Sequence, residues 1–338
     1  MKKKTYTILV TICLALIGVC AGWFFLSPFS QLKDTYYIYI DADDNADSVQ
    51  AKLSPVGHTY SNIAYNTLVR HSSYAENVKT GRYAIAPDDT PIDVFRRLKG
   101  GRQTPLLLTI PSVRTTDRLS QYLGEKLMTD SAAFMKAFGD SVVCNKYGCD
   151  TATVICLFIP NTYEVYWDLK AEQLMERMKK EHDTFWNGTR QQQAAAAGLS
   201  EHEVQTLASI VDEETANDAE KPMIAGMYIN RLKKGMPLQA DPTVKYAWRD
   251  FGLRRIYNKL LAIDSPYNTY KYEGLPPGPI RIASVAGIDA VLNYVPHDYL
   301  YMCAKEDFSG THNFAVTYRE HLANAAKYVK ALNKRGIK

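Results

Sequence analysis

The chain opens MKKKTYTILVTICLALIGVCAGWFFLSPFSQL, and no charge occurs from Thr5 to Leu32. A stretch this long and apolar leaves few structural options. A helix crosses a bilayer with about 20 apolar residues, and within lipid its backbone bonds must be made inside the segment. Lys2, Lys3 and Lys4 precede it, and a basic flank marks the cytoplasmic side. Residues 1–34 therefore predict a cytoplasmic tip and a single-pass anchor in the inner, cytoplasmic membrane, with the rest of the chain outside the cytoplasm. The rival, a cleaved signal peptide, would carry a shorter apolar core followed by a small-residue cleavage site.

Beyond the anchor the composition is that of a globular protein. Of 338 residues 46% are apolar, enough for a substantial core. The formal charge of +4 is mild and partly local to the three N-terminal lysines, so a nucleic-acid partner is not expected. No Walker loop, GxGxxG or zinc-type Cys/His spacing occurs, and neither a cofactor nor a metal is expected. Cys144 and Cys149 in CNKYGC bracket a short turn. They are either a disulfide of an oxidising compartment or two free thiols.

After the anchor, YYIYIDA alternates as a strand does, VKTGRYAI enters a second strand through a Gly turn, and TPLLLTIPS reads as a third. DDNADSVQAKL, DDTPIDVFRRL and RTTDRLSQYLGEKL each place Asp or Thr before apolar residues at helical spacing. Residues 35–105 thus form a small α+β module, and 106–155 a connecting region. A larger unit, 156–338, opens with the β-rich CLFIPNTYEVYW, followed by a polar, helix-prone stretch through WNGTRQQQAAAAGLS.

The next helix can be read closely. Ser200 and Glu203 form a capping box, and Leu199 and Val204 occupy the staple positions. Val204, Leu207, Ala208 and Val211 then recur at helical period, so the helix should run from Glu201 to about Thr215. It ends in three acids, Asp212, Glu213 and Glu214. At about 100° per residue, Glu214 falls within about 20° of Leu207 on the buried face, and the other two lie off it. Burial and the negative end of the helix dipole both disfavour a carboxylate. A carboxyl that keeps its proton near neutral pH can serve as a general acid. The alternative is a helix-end acid paired with a nearby base, or exposed by fraying.

EKPMIAGMYINRLKKG predicts a further helix, with Pro222 in its first turn and Gly235 at its C-terminal cap. MPLQADPTVKYAW, DSPYNTYKYEGLPPGPI and YLYMCAKEDFSGTHNFAVTYREH read as loops dense in amides, hydroxyls and aromatic rings. Such loops suit a sugar, whose hydroxyls need hydrogen-bond partners and whose faces stack on rings. They also suit ordinary irregular structure.

At this point IVDEETANDAEKPMIAGMYINRLKKGMPLQADPTVKYAW closely resembles the signature of the endolytic murein transglycosylases, the YceG-like family. FIPNTYEVY, YNTYKYEGLPPGPI and GTHNFAVTYREH are similar to its other blocks, and the GRYAI module is similar to its LysM-like subdomain. The resemblance implies an α+β fold: a transmembrane helix, a LysM-like module and a YceG-like catalytic domain. It also implies a lyase that cuts the β-1,4 bond between N-acetylmuramic acid and N-acetylglucosamine in nascent glycan strands. The products end in 1,6-anhydro-muramic acid, and elongation stops. The catalytic acid is the second Glu of the family's E-x-E-[TA] motif, here Glu214. Asp212 stands for the first Glu, and Asn161 for the Asp of FPDTY. Asn230, Gln239, Asp241, Thr243, Tyr246, Asn268, Tyr270 and His312 are the candidates to line or brace the groove. Peptidoglycan strands, and the synthases that make them, are the expected partners. The alternatives are a non-catalytic peptidoglycan-binding scaffold, for which Asn161 is the only support, and a water-using muramidase.

Overall fold

The structure, a computed structural model, describes residues 2–253 and 256–335; the side chains of Lys2 and Lys3, two of the three basic residues flanking the anchor, lie outside the described residues. The chain folds into two compact units. One comprises Met1–Leu108, Lys126–Met128 and Tyr163–Leu169; the other comprises Thr109–Glu125, Thr129–Thr162 and Lys170–Lys338.

The first unit contains α1 (Lys2–Leu26), β1 (Tyr36–Ile40), α2 (Ala46–Leu53), α3 (Thr59–Arg70), β2 (Gly81–Ile85) and α4 (Pro91–Gly100). From Lys4 to Leu26, α1 has a mean hydropathy of 2.5 and none of it is buried by the rest of the protein. That length and composition are enough to cross a membrane. β1 and β2 pair antiparallel, Ile38 opposite Tyr83 and Ile40 opposite Gly81. Their inward residues join Phe29, Val49, Leu53, Tyr65, Val94 and Leu98 in one apolar core. The capping signals predict α2 and α4, and both helices carry their boxes, Asn45 with Ser48 and Thr90 with Asp93. Sequence reading missed α3, because His58 at its N-cap makes no side-chain capping bond.

Along the chain follow β3 (Leu106–Thr109), α5 (Thr116–Lys126), α6 (Ser131–Gly139), α7 (Ser141–Lys146), β4 (Thr162–Val165), α8 (Ala171–Phe185) and α9 (Gly188–Ala197). α10 (Glu201–Glu214), α11 (Lys221–Lys233), α12 (Asp241–Trp248), α13 (Val285–Leu292), β5 (Tyr301–Ala304), β6 (His312–Ala315) and α14 (Tyr318–Lys334) complete it. Of the β-rich stretch CLFIPNTYEVYW only Thr162–Val165 is strand, and Val154–Leu157 is a buried 3-10 turn. Cys144 and Cys149 are free and buried; the Cys149 thiol donates to the Cys144 carbonyl oxygen at 3.3 Å.

α10 is the axis of the second unit. α9, α11, α12 and α13 pack around it. Every residue from Val204 to Val211 is buried, so the helix is enclosed on all sides rather than along one stripe. Gln205 and Ser209 are bonded within the core, the Gln205 amide to His182 Nε2 at 3.3 Å. The Ser209 hydroxyl donates to the Thr206 carbonyl at 2.7 Å and accepts the Ile280 N–H at 3.0 Å. MPLQADPTVKYAW, read as a loop, contains α12 instead. No side chain caps that helix at Ala240, so only Pro242 in its first turn marks it.

Candidate active site

Ser200 begins α10 with its capping box, the Ser200 N–H donating to Glu203 Oε2 at 2.8 Å and the Glu203 N–H to Ser200 Oγ at 3.3 Å. The helix stops at Thr215, whose backbone is extended at φ −145° and ψ 140°. The three acids fall in its last turn, where unsatisfied carbonyls make the potential negative.

None of the three is a surface charge. Asp212, with its side chain 3% exposed, accepts Lys221 Nζ at 2.7 Å, the Ser284 N–H at 2.7 Å and the Ser284 hydroxyl at 2.8 Å. α13 comes so near that a Cβ on Gly287 would sit 2.6 Å from Asp212 Oδ1, so only glycine fits there. Glu213, 13% exposed, is gripped by two arginines. Arg114 makes a forked pair to its oxygens at 2.8 and 2.9 Å, and Arg281 adds a contact at 3.0 Å. Glu214 is half-buried, and its Oε1 accepts the Tyr228 hydroxyl at 2.6 Å. Among the described residues no cation pairs with it.

Desolvation by burial is the largest influence on the Glu214 carboxyl and pushes its pKa up to about 7; the Tyr228 hydrogen bond opposes this, Asp241 adds to it, and His312 and Lys245 oppose it at longer range. The Tyr228 phenol is itself held well above its ordinary value, by burial first and then by Glu214, so it is the donor of that bond.

Glu214 opens on a cleft of about 230 Å³ walled by α11, α12 and the β5–β6 hairpin. Four of the candidate residues line it: Gln239, Asp241, Tyr270 and His312. Gln239 is exposed and held at φ +52°, a left-handed conformation unusual outside glycine. Asp241 opens α12 and accepts the Tyr270 hydroxyl at 2.6 Å. His312 is fixed by Glu220, which accepts its backbone N–H at 2.6 Å and faces its Nδ1 at 3.0 Å.

The other four candidates lie behind the walls. Asn230 on α11 donates to the His297 and Tyr299 carbonyls at 2.5 and 3.1 Å and ties the approach to the hairpin. Thr243 is fully buried and bonds Thr269 and the Ala240 carbonyl. Asn268 is likewise buried, donating to the Leu261 and Ile263 carbonyls at 2.8 and 2.9 Å and accepting the Tyr270 N–H at 3.1 Å. It thereby sets the loop that carries Tyr270. The Tyr246 ring packs on Tyr267 with centroids 4.6 Å apart, beside the gap next to Glu213. Asn161 is exposed and lines no part of the cleft; its side chain accepts the Thr162 N–H.

Tyr228 and Arg231 line the cleft, Glu220 braces its His312, and none of the three stands out in the sequence. Tyr228 sits in the apolar run MIAGMYI and reads as core. Arg231 is buried, giving its guanidinium to the Leu300, Pro237 and Leu238 carbonyls at 2.6 to 3.1 Å. Only its position three residues after Tyr228, on the same face of α11, could have signalled it.

Two curated relatives carry the name endolytic murein transglycosylase. The protein of Bacillus subtilis is 39% identical over 168 residues, 50% of this chain and 46% of its own length. That of Streptococcus pneumoniae is 26% identical and aligns with 97% of this chain and 66% of its own. The chain thus spans from about half to about two thirds of the length of these relatives. A crystal structure of a YceG-like protein from Listeria monocytogenes superposes with a TM-score of 0.56 at 27% identity, covering 86% of this chain and 99% of that one. The YceG-like family itself matches residues 38–327, which run from within β1 to within α14 and take in the cleft and all three acids, and the chain belongs to that family.

Proposed function

We propose that the protein is an endolytic peptidoglycan lytic transglycosylase with Glu214 as its only acid–base residue. The observation that carries this is the pairing of Glu214: a carboxyl with a pKa near 7, facing a cleft and bonded to a phenol rather than a cation. The relatives' names point the same way.

The chemistry follows from that state. Protonated Glu214 gives its proton to the glycosidic oxygen as the bond to the muramyl C1 breaks, and the departing N-acetylglucosamine keeps its 4-hydroxyl. The carboxylate left behind is steadied by the Tyr228 hydroxyl and faces the positive charge developing at C1. It then takes the proton of the muramyl C6 hydroxyl as that oxygen closes on C1. The product is a 1,6-anhydro end, and Glu214 is protonated again. An ordinary glycosidase uses two carboxylates, the second either activating water or attacking the sugar itself; here the sugar supplies its own nucleophile. Asp241 shares the cleft and makes the water-using muramidase the second reading. The products separate the two, since hydrolysis leaves reducing ends.

Under this reading α1 anchors the chain, and the residues after it lie outside the cytoplasm. The small unit serves as a LysM-like module that holds glycan, and synthases supply the nascent strand. Glu214→Gln is expected to fold yet to lose anhydro-muropeptide formation from purified sacculi by at least ~10²-fold. Mass spectrometry of the digest reads the outcome, and an unchanged yield would refute the assignment.

A further inference from the structure

The two arginines that grip Glu213 also line a second and larger hollow, of about 750 Å³, that the proposed reaction does not use. Arg114, Arg118, Arg249 and Arg281 line it, with Tyr122 and Phe251 as aromatic walls. The charges do not cancel. Arg114 and Arg281 are committed to Glu213, and Arg249 to Asp117. Glu125 accepts only the Gln121 amide, at 3.3 Å, among the bonds formed by described residues. Arg118 bonds the neutral Gln121 Oε1 at 3.1 Å and pairs with no acid among the described residues. One exposed guanidinium is therefore left to bind a carboxylate, beside ring faces and side-chain amides.

The hollow and the cleft lie along the same helix. A narrow gap shares Arg114 and Phe251 with the hollow and is lined by Glu213 and by Pro242, Lys245 and Tyr246 of α12. α12 begins at Asp241, which lines the Glu214 cleft. Hollow, gap and cleft thus follow one another along a single helix. The cleft is less than a third the size of the hollow, whereas an enzyme that cuts within a polymer must hold the chain beyond the scissile bond.

We propose that this hollow is a second substrate subsite, which takes the carboxylates of a peptide stem carried by the strand lying at Glu214. The proposal rests on the transglycosylase reading and adds what the substrate must bear. A charge-assisted hydrogen bond from a guanidinium to a carboxylate discriminates stem-bearing strands from bare glycan. Arg118 is the residue that tests it, being exposed and outside the cleft.

The full chain in detergent, carrying Glu214→Gln so that it does not turn over, is titrated with glycan strands from purified sacculi. The same strands, stripped of their stems by an amidase, serve as the second ligand. Adding Arg118→Glu should weaken binding of stem-bearing strands by roughly tenfold and reduce its dependence on salt. Stripped strands should change by less than about twofold, and free stem peptide should compete only with the stem-bearing ligand. Equal weakening of both ligands overturns the proposal by making the hollow a contact for the sugar backbone. No change with either overturns it outright. A wild-type protein that forms no anhydro ends would sink the catalytic reading alone, because the stem dependence of binding is read without turnover.

Discussion

The last turn of α10 is built in opposite ways on its two sides. On one side Asp212 and Glu213 meet Lys221, Arg114, Arg281 and the Ser284 N–H. On the other Glu214 meets a single phenol. The three carboxylates are consecutive, so local sequence does not distinguish them electrostatically. The fold does: among the described residues, cations come to two of them and none to the third. Paired acids are held in place and serve as struts. The unpaired one bears the full effect of desolvation, which outweighs the Tyr228 hydrogen bond and raises its pKa to about 7. Under the proposed function, reactivity at this site is a matter of which carboxylate lacks a cation.

The comparison breaks most severely if a strut is cut. Lys221→Met leaves Asp212 in a buried position without its cation, the two side chains being 7% and 3% exposed. Removing one partner of a buried pair costs roughly 3–5 kcal/mol. The low end is expected here because the Ser284 N–H and hydroxyl remain as donors to Asp212. Urea unfolding measures it. A loss below about 1 kcal/mol, the size of an exposed pair, would show that this pair does not hold the turn.

On the Glu214 side the sign reverses. The folded carboxyl titrates near 7, whereas its ordinary value is 4.5. Between those values the folded state keeps a proton that the unfolded chain has released, so stability falls as pH rises through that window and levels off above it. At 1.36 kcal/mol per unit the loss amounts to about 3 kcal/mol. Glu214→Gln carries no such burden. The variant should unfold at higher denaturant than the wild type at pH 8, and the gap should close near pH 4. A variant equally stable or less stable at pH 8 would mean that Glu214 ionises there at no cost.

What was legible beforehand divides along the same line. The Ser200–Glu203 box, the apolar phase of Val204, Leu207 and Val211, and the inward turn of Glu214 are all set within a dozen residues, where helical geometry alone decides. The uniform apolarity of α1 was legible for the same reason. The partners were not. Arg114 reaches Glu213 across 99 residues, Arg281 across 68, and Glu220 reaches His312 across 92. Those distances close only when helices pack, and no local pattern encodes them. Tyr228 is the instructive miss. It lies 14 residues after Glu214, but its ring counts as core while its hydroxyl belongs to the site, and sequence shows only the ring. α3 and α12 have no side-chain N-cap to mark them, whereas YLYMCAKEDFSGTHNFAVTYREH reads as loop from its polar and aromatic composition and yet holds β5, β6 and the start of α14, which Thr317 and Glu320 cap with a box.

Tyr228→Phe sharpens the comparison with the smallest change, one oxygen. The hydroxyl donates to the carboxylate at 2.6 Å and so favours the ionised form. Without it, desolvation acts with less opposition and the Glu214 pKa moves further upward. Two consequences follow if, as proposed, Glu214 must first hold a proton and then briefly give it up. The alkaline limb of anhydro-product formation should shift to higher pH. The maximal rate should fall by about tenfold, because the anion formed midway loses a bond worth about 1.5 kcal/mol. A purely structural tyrosine would lower the rate without moving the limb. A limb that stayed in place or moved to lower pH would therefore remove Tyr228 from the acid–base machinery and leave burial alone to tune Glu214.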